Sequence, residues 1–394
     1  MRVLILGGDG YLGWPTAMHF AAAGHTVGAV DNYARRRMAG ETDSAPLFPT
    51  PDLNERARRF EASSNHHIDV WIGDCADYPF LSEMVRSFRP EAIIHYAEQP
   101  SAPYSMKDFA AARFTLNNNL NTTFNVLWAI HEFAPDCHLV KLGTMGEYGT
   151  PGIDIEEGWI DIQHKGRQDR FLFPRQAGSL YHTTKVLDTD LIWFYVRTWG
   201  LKCTDLMQGP VYGLFTEQSR LDMNLLPNFH YDDLFGTVLN RFIVQVAAGV
   251  PMTVYGTGGQ VRGYLNLVDT LQCVDLAVTK PPADGELRIL NQFIETFSVI
   301  ELAERVKDAA GGLGIAADIK PIPNPRKEKE EHYYNPQFTG LKTLGLKPHP
   351  LTEEVLAEMI DYAVSKKDNI VPCNQHICGI VPLKLRRFHG PAKG

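Results

Sequence analysis

Cysteine is scarce, with six in 394 residues and no C-x-x-C pair, which speaks for reduced thiols rather than a disulfide framework. Cys373 to Cys378 holds two thiols and His376 without a fourth ligand nearby, so no metal is expected. Positive charge is also short. The 38 Lys and Arg residues against 46 Asp and Glu leave a net charge of −8, which argues against a nucleic-acid binder with its usual basic face. No apolar run approaches the roughly 18–20 residues that span a bilayer, so no membrane insertion is expected. Internal repeats and low-complexity tracts are missing as well. The first strand opens at Arg2 and runs straight into a glycine turn, which argues against a cleavable leader. The expectation is a cytoplasmic protein, or one of the plastid stroma if a transit peptide has been removed.

What is present is ordinary globular material, 44% hydrophobic and 21% charged. Val3-Leu4-Ile5-Leu6 is a short apolar run suited to a parallel strand covered on both faces. A glycine turn, an apolar helical stretch to Gly24 and a second strand ending at Asp31-Asn32 complete a βαβ unit. Strand candidates recur at Asp69–Ile72, Ala92–His95, His138–Lys141 and Lys202–Leu206, with helical segments between them. That rhythm predicts an α/β fold, a doubly wound parallel Rossmann sheet with a smaller C-terminal substrate-binding lobe. The expected division is a dinucleotide-binding domain over 1–206 with a return at about 260–292. A lobe over 207–259 and 293–371 and a tail over 372–394 make up the rest. Residues 34–66 form a long excursion, either a functional or mobile loop or a surface excursion with one helix. Pro321 to Pro325 cannot be helix or central strand.

Gly7, Gly10 and Gly13 follow a strand and open a helix. This spacing lets backbone N–H groups meet a pyrophosphate with no side chain between them. Asp31, 18 residues after Gly13, can accept bonds from adenosine ribose hydroxyls and would repel a 2′-phosphate. NAD is therefore the expected cofactor, with Arg35 and Arg36 the only residues favouring NADP. Asp74 and Cys75 close the third strand, where a polar side chain can reach the adenine, and Asp74 could equally cap the next helix. Tyr96 and Glu98 stand at the end of the fourth strand.

Tyr181 and Lys185 are spaced i and i+4, on one helix face. A free phenol, with a pKa near 10, is a poor base at neutral pH. An ammonium one turn away and a bound nicotinamide cation would favour phenolate. Helix 179–199 should end at Gly200 in a C-cap role.

Together these features resemble the extended short-chain dehydrogenase/reductase family. The resemblance implies a reacting triad of Thr144, Tyr181 and Lys185, and places Arg262, in the segment Gly256 to Leu265, on a sugar-nucleotide diphosphate. Further segments are similar to the family's sulfonate-installing branch, which acts on UDP-glucose with sulfite, free or delivered by a protein donor: Val140–Pro151, Ile153–Gly158, Ser101–Met106, Tyr231-Asp232, Phe235–Thr237, Pro323–Arg326 and Glu331–Asn335. Pro100 stands where that branch has an arginine, and Thr122 where a glycine is usual. Met145 occupies the position of the aspartate that dehydratases carry after the Thr, which leaves Glu147 and His182 as candidates for proton handling at carbons 5 and 6.

The resemblance further implies cofactor contacts at Tyr11, Leu12, Asn32, Arg35, Asn118, Gln208 and Val211. Substrate contacts are implied at Gln99, Ser101, Thr144, Gln208, Thr237, Arg241, Val254, Gln260, Arg262, Arg326 and His332. A homodimer is expected through helix 179–199 and the helix near 119–133. The rival readings are a UDP-hexose 4-epimerase, a related dehydratase, or a non-catalytic NAD-binding scaffold.

Overall fold

A computed structural model of the chain describes residues 1–323 and 333–370. In chain order, β1 (Arg2–Leu6) feeds the glycine turn and α1 (Gly13–Ala22), and β2 (Thr26–Asp31) returns beside it. Helices α2 (Ala34–Glu41) and α3 (Leu53–Ser64) precede β3 (Ile68–Ile72), α4 (Tyr78–Phe88) and β4 (Ala92–His95). Short α5 (Ala102–Ser105) and long α6 (Phe109–Phe133) lead to β5 (His138–Thr144). A hairpin of β6 (Trp159–His164) and β7 (Arg167–Leu172) comes before α7 (Leu180–Trp199) and β8 (Lys202–Gln208).

Beyond lie β9 (Val211–Tyr212), α8 (Val238–Ala247), β10 (Met252–Tyr255), β11 (Val261–Asn266), α9 (Leu267–Thr279) and β12 (Leu287–Gln292). The described chain closes with β13 (Glu295–Ser298), α10 (Val299–Gly312), β14 (Ile319–Ile322), α11 (Gly340–Leu344) and α12 (Glu353–Ser365).

Seven strands form one sheet in the order β3-β2-β1-β4-β5-β8-β12, all pairings parallel. The doubly wound sheet expected from the rhythm of apolar runs is therefore what forms. In β1, Val3 and Ile5 pack into the core on one face while Leu4 and Leu6 pack into the core on the other, the period-2 consequence of a strand buried on both sides. Strand order reverses between β1 and β4, so a crevice opens beyond their carboxyl ends, the place where such sheets bind ligands. A third core, including Phe242, Val244, Leu302 and Ile360, packs α8, α10 and α12 against one another.

Three details differ from the sequence reading. Residues 34–66 hold two helices, not one, because Asp52 caps α3 by accepting from the Glu55 N–H at 2.9 Å. Of the return at 260–292, β12 joins the main sheet, whereas β11 pairs with β9 and β13 in a separate three-stranded sheet. The β6–β7 hairpin has no counterpart in that reading. Lys165 and Gly166 both take positive φ, 48° and 77°, in a two-residue turn between His164 and Arg167. Pro321 lies in β14, which among the described strands pairs only with β10 and so is an edge that tolerates a missing N–H. The tail from 372 lies outside the described residues.

Candidate functional site

The glycine turn is built for close approach. Gly7 and Gly8 both donate to the Val30 carbonyl at 2.8 Å, and Gly7 has φ +88°. A Cβ on Gly13 would stand 2.0 Å from the Gly7 oxygen, and one on Gly7 would stand 2.8 Å from the Tyr96 carbonyl carbon. Glycine is thus obligatory here. The cradle that results sits over the first turn of α1, which has no side-chain cap, and an anionic pyrophosphate fits that donor set.

Around the cradle, Asp31 accepts from the Asp9 N–H at 2.9 Å and the Tyr33 N–H at 2.7 Å. Burial first, and Asp9 second, push its carboxyl up to about 6. Asn32 accepts from the Ala34 N–H, and the Tyr11 hydroxyl donates to the Gly213 carbonyl at 2.5 Å. Leu12 is the N-cap residue of α1. Neither arginine considered for NADP is presented to solvent as a free cation. Arg35 stacks 3.8 Å above the Phe235 ring, and Arg36 makes a two-pronged pair with Asp9, both contacts 2.7 Å.

Asp9 was not singled out in the sequence, yet it is the hub of this corner. It also pairs with Arg56, a fully buried arginine of α3. The available signal was an acid inside the glycine turn followed by an arginine-rich excursion.

Asp74, Phe109, Arg113, Phe114 and Asn118 line a cavity of about 470 Å³ between the end of β3 and α6. Asp74 accepts from the Ala76 N–H, whereas the N-cap of α4 is Asp77, so the cap alternative for Asp74 falls away. Cys75 is buried, which pushes its thiol up, and its carbonyl accepts from Asn125. Tyr96 lies with its hydroxyl 3.3 Å from Thr16. Thr122 bonds the Asn118 carbonyl at 2.6 Å.

Thr144 ends β5 directly beside Gln208 of β8, whose amide meets Gln292. Helix α7 starts where Ser179 accepts from the His182 N–H at 3.1 Å, and it packs against the turn after Thr144. The His182 ring lies over that turn. A Cβ on Gly146 would meet its Nε2 at 2.3 Å, while Nδ1 is 3.0 Å from the Ser179 hydroxyl.

Lys185 Nζ pairs with Glu98 at 2.5 Å. The Tyr181 phenol is consequently not acidified in this state. Burial above all, then the carboxylates of Glu98, Glu147 and Asp188, push it well above its ordinary value. The expected influence of Lys185 is offset because its charge is directed at Glu98.

Met145 is buried in the apolar core. Glu147 is wholly buried too, its carboxylate 3.3 Å from the Thr144 N–H, 3.5 Å from Lys141 and 3.6 Å from Arg175. It closes a capping box on the Thr144 turn and is directed into the fold, which does not suit the proton-handling part considered for it.

The residues expected on the sugar nucleotide divide into two groups. Gln99 is turned inward, donating to the Ser101 carbonyl and to Thr115. Ser101 caps α5 and bonds the Leu234 carbonyl. Gln99 thus ties its loop to α6, and Ser101 ties that loop to the segment before α8. Thr237 caps α8. Arg241 reaches the Thr253 carbonyl at 3.2 Å and lies 4.9 Å over the Tyr255 ring. Val211, Val254 and Gln260 are buried, and Arg262, on β11, donates to the Val261 carbonyl. Arg326 and His332 lie outside the described residues.

A profile of the NAD dependent epimerase/dehydratase family matches residues 3–291. The chain belongs to that family. It is 49% identical over 94% of its length, and 77% of the relative's, to a chloroplastic UDP-sulfoquinovose synthase of Spinacia oleracea. It is 44% identical over 91% of its length, and 92% of the relative's, to a UDP-sulfoquinovose synthase of Sulfolobus acidocaldarius. Among solved structures, UDP-glucose 4-epimerase from Bifidobacterium longum in complex with NAD+ and UDP aligns over 94% of this chain and all of its own. The TM-score is 0.71 at 17% identity, a likeness of fold. In this NAD-dependent family the glycine cradle, Asp31 and the cavity beside Asp74 are the residues that would hold the dinucleotide.

Proposed function

We propose that this chain converts UDP-glucose and sulfite into UDP-sulfoquinovose and water. What carries the reading is the pair of synthase relatives, one plant and one archaeal, each matching over nine-tenths of this chain. The site chemistry supports it. NAD, when bound, accepts the carbon 4 hydride, later returns it, and sets a positive charge near the phenol.

Tyr181 takes the carbon 4 hydroxyl proton once Lys185 swings from Glu98 toward the phenol, and Thr144 orients that hydroxyl. The ketone so formed acidifies carbon 5. Loss of that proton and of the carbon 6 hydroxyl as water leaves a 4-keto-5,6-ene. Sulfite adds through sulfur at carbon 6, carbon 5 regains a proton, and Tyr181 returns its proton at carbon 4. His182, lying over the Thr144 turn, is assigned the proton transfers at carbons 5 and 6. Met145 in place of a dehydratase aspartate fits an elimination that relies on this imidazole.

Sulfite, free or handed over by a donor protein, and a homodimer through α6 and α7 belong to the same proposal. Phe124, Leu187 and Phe194 are 42%, 39% and 51% exposed on those helices. No described helix is long and apolar enough to cross a membrane. A cytoplasmic or stromal location is part of this reading.

Purified protein given UDP-glucose and sulfite should yield a sulfonated sugar nucleotide by mass spectrometry, without net NADH. Formation of UDP-galactose alone would replace the reading with 4-epimerisation.

A further inference from the structure

Beneath the reacting residues lies a buried charge cluster that the proposed steps do not use. Lys141 stands on β5, three residues before Thr144, and is wholly buried. Apolar packing of β5 against α7 needs no charge there, and a buried ammonium is costly unless it is paired. Its Nζ donates to the Lys185 carbonyl at 3.1 Å and to the Thr189 hydroxyl at 2.9 Å. Two wholly buried carboxylates flank it, Asp205 of β8 at 3.4 Å and Glu147 at 3.5 Å. The Thr189 hydroxyl also donates to Asp205 at 2.6 Å.

One ammonium therefore touches both halves of the site. On one side is the carboxylate that caps the Thr144 turn, and on the other the backbone of Lys185. We propose that Lys141 is a positioning residue for turnover, the buried cation that holds the Thr144 turn and the Lys185 segment of α7 in register.

The charged groups facing this cluster account for why a cation is needed. From α7 come Lys185 and Asp188, from the β4 end Glu98 and His95, from β8 Asp205, and from the segment before α7 Arg175, paired with exposed Asp190. Three cations, Lys141, Lys185 and Arg175, stand among four carboxylates, Glu98, Glu147, Asp188 and Asp205. Removing Lys141 takes the near counter-charge from Asp205 and leaves Glu147 with Arg175 alone, at 3.6 Å. A buried carboxylate stripped of its cation is most costly when charged, so the variant's Thr144 turn loosens toward higher pH. Lys141 does not contact substrate, so KM should be spared.

The inference rests on Thr144, Tyr181 and Lys185 being the reacting groups. Lys141→Met should lower kcat at least tenfold at pH 8, keep KM for UDP-glucose within twofold, and show a smaller deficit at pH 6. The charge-balanced Lys141→Met/Asp205→Asn variant should lose that pH dependence while keeping kcat at least fivefold below wild type. It also decides the matter if the single variant fails to fold.

A wild-type kcat in the double variant would overturn the inference. So would a single-variant loss that is the same at every pH, or one that raises KM alone. Should the wild-type protein prove an epimerase, the assigned reaction fails, and the same ratios read on carbon 4 oxidation still decide the role of Lys141.

Discussion

Lys185 and Glu98 form an ion pair of 2.5 Å at the end of β4, with side chains 3% and 5% exposed. The pair directs the ammonium expected to serve Tyr181 toward a carboxylate 87 residues away in sequence. With the ammonium so directed, burial first and the nearby carboxylates second hold the phenol above its ordinary value, and the proposed activation turns on where one lysine points.

Replacing Glu98 with Gln removes a carboxylate that raises the Tyr181 phenol and releases Lys185. The acid limb of the kcat/KM profile should move to lower pH by about one unit, or about 1.4 kcal/mol. An unmoved limb would mean that the phenol does not titrate in turnover.

Asp31 has a folded value of about 6, above its ordinary 3.8. The protonated acid is favoured in the free protein below that pH, and ionising it weakens the free fold as pH rises through 6. Ribose hydroxyls need the ionised acceptor. NAD affinity by calorimetry should therefore improve roughly tenfold between pH 5 and 7, with proton release near pH 6. A flat affinity would place the ribose away from Asp31.

Asp9→Ala strips the partner from buried Arg56 and from Arg36. Breaking a buried pair in this way should cost about 3–5 kcal/mol in denaturant unfolding. Asp9→Ala combined with Arg56→Met, which removes the stranded charge, should recover part of that. If the double variant is no more stable than the single, charge pairing is not what Asp9 contributes.

Phe194→Glu places a charge on the exposed aromatic face of α7, where Phe194 is 51% exposed beside Tyr195. Sedimentation should show a monomer where the parent protein gives a dimer, with the melting temperature little changed because the side chain is outside the core.

Local patterns made much of this protein legible in one dimension. The βαβ opening, the glycine spacing and the i, i+4 pair of Tyr181 and Lys185 follow from periodicities of two and 3.6 and from backbone sterics, which act over a few residues. Ser179 and Gly200 mark the ends of α7 for the same reason. The hairpin turn at Lys165-Gly166 was also local, but only Ile160 and Ile162 of β6 alternate with polar residues and β7 carries no such pattern, too little to betray a pair of strands.

Tertiary structure alone decided the electrostatics. Asp9 meets Arg36 and Arg56 across 27 and 47 residues, Lys141 meets Asp205 across 64, and Glu147 turns inward instead of toward the cleft. Charges interact through space and according to burial. Whether a lysine activates a phenol or neutralises a carboxylate is settled only when distant strands and helices bring those groups together.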